Sequence, residues 1–172
     1  MCNKNFEKGQ YIVYTTNGLC YIEDIQYISF IKGEDAKMHY VIKPVRGNSS
    51  TIYIPSDNDK LISKIRPIMT QEQLATLLSN IKSKSLTWEN DRKIRAENFH
   101  DILISGVAED LMLMISCIYS KKNSLLTAKK TLSSSDSKFF EQAKKLVEEE
   151  FAFVLGIKET EVEEYIRERL EK

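Results

Sequence analysis

Glycine and proline are distributed so unevenly along this chain that a single class of fold cannot account for all of it. Four of the six glycines and all three prolines lie before Ile68, whereas the remaining 105 residues contain only Gly106 and Gly156. Turn-forming residues at close spacing cut a chain into short strands, and a long stretch nearly free of them favours helices. Two domains of different class follow, 1–67 and 68–172.

Within the first, Tyr11, Val13 and Thr15 alternate with Ile12 and Tyr14, and Asn17-Gly18 marks a tight hairpin turn. Leu19 to Ile31 continues as β-rich sequence, and Lys32-Gly33-Glu34-Asp35 turns the chain into a strand from Met38 to Val45. Arg46-Gly47-Asn48-Ser49 turns it again, and Thr51-Ile52-Tyr53-Ile54 ends at Pro55. Short strands with turn signals this close together predict a small antiparallel barrel or strongly bent sheet.

Helical periodicity begins at Thr70, where T-Q-E-Q is a capping-box pattern and Leu74, Leu77, Leu78 and Ile81 share one face. After a polar segment, Thr87 is placed to cap a second helix carrying Trp88, Arg92 and Arg95, with Ile94, Phe99, Ile102 and Leu103 further on, and Ser105-Gly106 breaks the run. A third helix has Val107, Leu111, Met114, Ile115 and Ile118 on one face and closes at Lys121-Lys122-Asn123. The Ser133-Ser134-Ser135-Asp136 cluster caps a long helix with Phe140, Ala143, Val147 and Phe151, which ends near Gly156. Thr160-Glu161-Val162-Glu163 opens a last amphipathic helix with Val162, Ile166 and Leu170. The second domain is expected to be an all-α bundle.

Enzyme chemistry finds little support. His39 and His100 stand far apart with no carboxylate or cysteine at ligand spacing, and neither a P-loop nor a glycine-rich nucleotide fingerprint occurs. Successive residues of a helix point in different directions, so Glu148-Glu149-Glu150 reads as a solvated face, not a carboxylate cluster. No cofactor, metal or small-molecule substrate is expected. The most apolar uncharged run, Leu111 to Tyr119, is nine residues, far short of the roughly 20 that span a bilayer, so no membrane span is expected. The N-terminal stretch lacks the apolar core of a signal peptide, and the odd, scattered set Cys2, Cys20 and Cys117 suits free thiols in a reducing cytoplasm.

Charge is balanced in total but not locally. Lys plus Arg against Asp plus Glu runs 9 to 7 before Ile68, 12 to 9 from Ile68 to Val147, and 4 to 9 beyond. A free-standing DNA binder carries a stronger basic excess, because phosphate neutralisation supplies most non-specific affinity. Against that background the stretch from Lys82 to Arg95 stands out, since it holds the only tryptophan, Trp88, among Lys82, Lys84, Arg92, Lys93 and Arg95. A bulky ring among cations serves either as a wedge or stacking surface on nucleic acid or as a core anchor. Composition alone leaves both open.

Four segments, taken in order, resemble the CarD/CdnL family of bacterial transcription regulators. These are F-E-K-G-Q-Y-I-V-Y from Phe6 with the turn at Asn17-Gly18; Ile31-Lys32-Gly33 with the strand Tyr40 to Lys43 and then Thr51 to Pro55; Trp88 with Arg92 and Arg95; and Ser105-Gly106 with the helices through Ala152. The resemblance implies a Tudor/SH3-like barrel, shared with transcription-repair coupling factor, that docks on the RNA polymerase β subunit, followed by a helical domain. Ser29, Ile31, Ile52, Tyr53 and Ile54 are then the polymerase-binding residues, with Ser29 and Tyr53 standing where better-known members carry arginines. It also implies that Trp88, Arg92, Lys93, Arg95, Lys129 and Lys130 contact promoter DNA through the minor groove, without sequence specificity, at the upstream edge of the melted region. The function so implied is non-enzymatic stabilisation of the open complex in the cytoplasm, at the nucleoid through polymerase. A second possibility is a protein-interaction module, in which Trp88 is simply packed.

Overall fold

In a computed structural model, which describes residues 6–46 and 50–170, the chain divides into two compact units, Met1–Ile68 and Met69–Lys172. The first is a five-stranded antiparallel sheet, ordered β4-β3-β2-β1-β5, and with the helices that follow the fold is α+β. Its strands are β1 (Tyr11–Tyr14), β2 (Gly18–Ile28), β3 (Lys37–Pro44), β4 (Ile52–Pro55) and β5 (Ile65–Pro67). The hairpin expected at Asn17-Gly18 forms through a short 3-10 turn, Thr15–Asn17, with Gly18 at φ 71°. Cys2 and the turn at Gly47-Asn48-Ser49 lie outside the described residues.

A bulge organises the sheet. The β2–β3 register runs Ile22 opposite Ile42 and then Asp24 opposite Val41, so Glu23 is the extra residue. Inserting one residue shifts the two-residue alternation by one step. Ile22 and Ile25 therefore both face the core that Ile12, Cys20, Ile42, Ile54 and Ile65 form, with Phe6 edge-on to Tyr40 at 5.5 Å. A one-turn helix, α1 (Asp59–Ile62), and the short β5 were not expected from the sequence. Asn58 caps α1 through its side chain, and Ile62 closes the core.

The second unit is a helical bundle of α2 (Gln71–Ile81), α3 (Arg92–Ser105), α4 (Ala108–Thr127), α5 (Ser134–Leu155) and α6 (Glu159–Leu170). Thr70 and Gln73 make the expected capping box. Ser133 caps α5, and Gly156 ends it in the left-handed region at φ 68°. Three boundaries differ from expectation. Asp91, not Thr87, caps α3, its carboxylate accepting from the N–H groups of Lys93 and Ile94, because an ionised acceptor suits the positive helix end better than a hydroxyl. Helix α4 runs past Lys121-Lys122-Asn123 to Thr127, since no glycine or proline follows to stop it. Helix α6 starts at Glu159, where Glu161 reaches back to the Lys158 N–H at 2.8 Å. The core joins Leu74, Leu78, Phe99, Leu103, Met114, Ile118, Phe151 and Val162 among others.

Candidate functional site

Because Asp91 sets the start of α3, Trp88 sits in the irregular segment before the helix, not on it. Its indole is half-buried, packed on the core and edge-on to Phe99 at a centroid distance of 6.2 Å. Beneath it lies Arg95, whose Cζ is 4.4 Å from the ring centroid. A guanidinium against an indole face contributes about 2 kcal/mol when desolvated.

Arg95 does more than meet the ring. Its Nε and Nη2 donate to Asp136 Oδ1 and Oδ2 at 3.0 and 3.1 Å, and Nη1 donates to the carbonyls of Glu89 and Asn90 at 2.8 and 3.3 Å. One guanidinium thereby joins the indole, the loop that carries it and the first turn of α5. Asp136 is held in turn by the Ser133 hydroxyl, which donates to Oδ2 at 2.7 Å and accepts from the Asp136 N–H. Burial pushes the Asp136 carboxyl up, but the hydrogen bonds from Arg95 and Ser133, with the charges of Arg95 and Arg92, outweigh it and hold the group below its ordinary value.

The expectation that Arg95 holds a phosphate is corrected by this geometry. The residue is only 6% exposed and its donors are already engaged, so it supports Trp88 from below. A signal for this was present in the sequence: Arg95, Phe99 and Leu103 follow one another at the spacing of a buried helical stripe, and all three are buried. A cation on an apolar stripe calls for a buried carboxylate partner. Arg92 and Lys93, in contrast, are exposed in the first turn of α3.

Lys121 was missed by sequence reasoning. Its Nζ is 5.3 Å from the Trp88 ring centroid, and with Leu86, Cys117, Ser120 and Ser124 it lines a groove of about 270 Å³ against the indole. Burial raises the pKa of the Cys117 thiol, with Arg95 acting in the opposite sense. Lys130 instead shares a groove of about 170 Å³ with Lys122 and Phe140. Lys129 and Lys130 are exposed, and Lys129 carries a positive φ of 54° as part of the α4 terminus: Lys130 N–H donates to Leu125 O and Lys129 N–H to Leu126 O. That is a Schellman motif with lysine where glycine is usual.

In the first unit, β4 is an edge strand. The Ser56 N–H donates to Met38 O, so by antiparallel alternation Ile54 and Ile52 bond toward β3 and the N–H and C=O of Tyr53 point to the outer edge. Tyr53 is 43% exposed and meets Phe30 edge-on at 5.5 Å, and Phe30 in turn covers the buried His39 at 5.2 Å. Ile31 is exposed, and the Ser29 hydroxyl donates to the carbonyls of Ile31 and Glu34, fixing the turn that carries Phe30. Ile54 is corrected as a contact residue: at 1% exposure its side chain belongs to the core, as does part of Ile52. Phe30 went unnoticed in the sequence because only the fold brings it to Tyr53.

His39 lies in β3 and His100 on the exposed side of α3, and among the described residues no three His, Cys, Asp or Glu side chains gather as metal ligands would. No helix among them is long and apolar enough to cross a membrane.

Two family models match the chain. Residues 6–68 match the CarD-like/TRCF RID domain, and residues 74–167 match the CarD C-terminal domain. Comparison with curated proteins gives no match. With the second match alone spanning more than half of the sequence, the chain belongs to the CarD family of non-enzymatic transcription factors, whose members interact with RNA polymerase.

Proposed function

We propose that this protein regulates transcription initiation without catalysis: the sheet docks on the polymerase β subunit through the β4 edge, and Trp88 meets promoter DNA at the upstream edge of the bubble. The observation that carries this reading is the support of Trp88. The locked cation fixes the pose of the indole, and a ring that must receive a base benefits from being held in place beforehand. With Arg95 fixed by Asp136, little ordering of the ring remains to be done on contact. An inserted or stacked ring favours unstacked DNA over closed duplex, at on the order of 1–3 kcal/mol per base. About 1.4 kcal/mol is tenfold in an equilibrium.

Docking explains why the local basic excess is small, since tethering to polymerase raises the effective concentration of the helical unit at the promoter. On the sheet, the outward N–H and C=O of Tyr53 support strand addition, with Phe30 and Ile31 supplying apolar contact. The cytoplasm and nucleoid are where such a role operates.

The test compares Trp88→Ala and Trp88→Phe for folding, polymerase binding and lifetime of open promoter complexes. Phe keeps most of the packing on Phe99 but presents a smaller face. The expected result is retained folding and polymerase binding with shortened open-complex lifetime, more for Ala than for Phe. Full activity of both variants overturns the DNA contact and leaves the interaction module.

A further inference from the structure

We propose that helix α4 forms the second wall of the DNA site, with Lys121, Ser120 and Ser124 seating a backbone phosphate beside Trp88; this rests on the reading of Trp88 as a DNA contact. Positions 117, 120, 121 and 124 are spaced three and four apart, so they lie along one face of α4, and that face lines the groove against the indole. Cys117 is buried at its inner end, while Ser120 and Ser124 are exposed and present hydroxyls that donate to a phosphate.

Charge decides what fits the groove. Among the described residues Lys121 has no carboxylate partner within ion-pair distance, whereas Lys84 is matched by Glu109, Arg95 by Asp136, and Lys144 by Glu148 and Glu163. The Nζ of Lys121 rests 5.3 Å from the ring, at a contact a flexible four-carbon stem can leave for an anion. A cation with no carboxylate partner and two hydroxyls beside an indole complement a nucleotide: the ring meets the base, and the α4 face meets the phosphate attached to it. A peptide ligand with an apolar side chain leaves Lys121 without a counter-charge. The strand at Trp88 is thereby placed against α4, and Lys121 takes the phosphate-holding place that the resemblance implied for Arg95.

The test measures the full-length protein acting on open complexes of polymerase on a promoter. The concentration of protein needed for half-maximal stabilisation is followed against potassium chloride for wild type, Lys121→Gln, Lys121→Arg and Trp88→Ala, with Lys158→Gln as a control for net charge. Each phosphate contact contributes about 0.9 to the slope of log affinity on log salt, equivalent to on the order of fivefold to tenfold at about 0.1 M. Lys121→Gln is expected to weaken the effect by that factor and lower the slope by about 0.9, with Lys121→Arg restoring both and Lys158→Gln changing neither. If Trp88→Ala loses activity while Lys121→Gln keeps the wild-type slope, or Lys158→Gln matches Lys121→Gln, the α4 seat is overturned and the role of Trp88 stands. If Trp88→Ala is fully active, the underlying reading fails, and the seat with it.

Discussion

Replacing Asp136 by asparagine is the most informative single change, because it keeps the shape of the side chain and removes its charge. In the native protein the carboxylate accepts from Arg95 Nε and Nη2 and from the Ser133 hydroxyl, with both members of the ion pair less than a tenth exposed. Asparagine retains one acceptor for the guanidinium and turns an amide N–H₂ toward the other donor. Breaking a buried pair from one side costs about 3–5 kcal/mol, and the retained acceptor places Asp136→Asn near the lower end, about 3 kcal/mol. For a urea dependence of about 1.5 kcal/mol/M this is a midpoint lowered by about 2 M.

Trp88, as the only tryptophan, reports from the right place during that titration. Its fluorescence and the helical circular dichroism are expected to shift together. Before any unfolding, the loss of a fixed Arg95 is expected to move the emission to the red and increase quenching by acrylamide. A pH series supplies the sign. The Asp136 pKa is lowered in the folded protein, so its contribution is fully present above the ordinary carboxylate value of about 3.9 and is lost as pH falls through the lower folded value. The stability difference between wild type and Asp136→Asn is therefore expected to be flat from about pH 5 to 8 and to close below about pH 4. A midpoint change under about 0.5 M urea, with unaltered emission, would refute the supporting role of Arg95.

Further expectations follow from the backbone and the sheet. Lys129→Gly is expected to stabilise the helical unit by about 0.5–1 kcal/mol and Gly156→Ala to destabilise it by about 1 kcal/mol, since both positions have positive φ and a Cβ at Gly156 meets no neighbour within 4 Å; paired thermal melts measure the two. Ile54→Ala is expected to cost about 2–5 kcal/mol of stability in the sheet unit, whereas Tyr53→Ala leaves folding within about 1 kcal/mol and weakens polymerase binding, which pull-down and denaturation together resolve. Ser29→Ala removes the hydroxyl holding the turn and is expected to lower polymerase binding through Phe30 with a stability loss of about 1 kcal/mol.

What was legible in the sequence was local. The Thr70–Gln73 cap, the Ser133 cap, the turn at Gly18 and the end of α5 at Gly156 all depend on residues within a few positions of one another. Less visible were arrangements whose partners are distant. Lys121 meets Trp88 and Asp136 meets Arg95 only because α4 and α5 pack beside the loop before α3. Competition between two reasonable caps, Thr87 and Asp91, moved Trp88 off the helix, and no periodicity decides such a contest. The resemblance placed Tyr53 and Ile54 on one contact surface, although successive residues of a strand face opposite ways, so strand parity already set their side chains apart.

Arg95 also limits how many partners the indole can take. A locked guanidinium 4.4 Å from the centroid occupies one face of the ring, Phe99 packs against it at 6.2 Å, and the mobile-stemmed Lys121 ammonium lies 5.3 Å from the same centroid. In the proposed contact the ring would receive one base, with Lys121 drawn aside, but cannot become a rung between two. A one-sided surface of this kind terminates a stack and does not extend it, so the proposed promoter contact would place a single base on the tryptophan, however long the adjoining melted strand becomes.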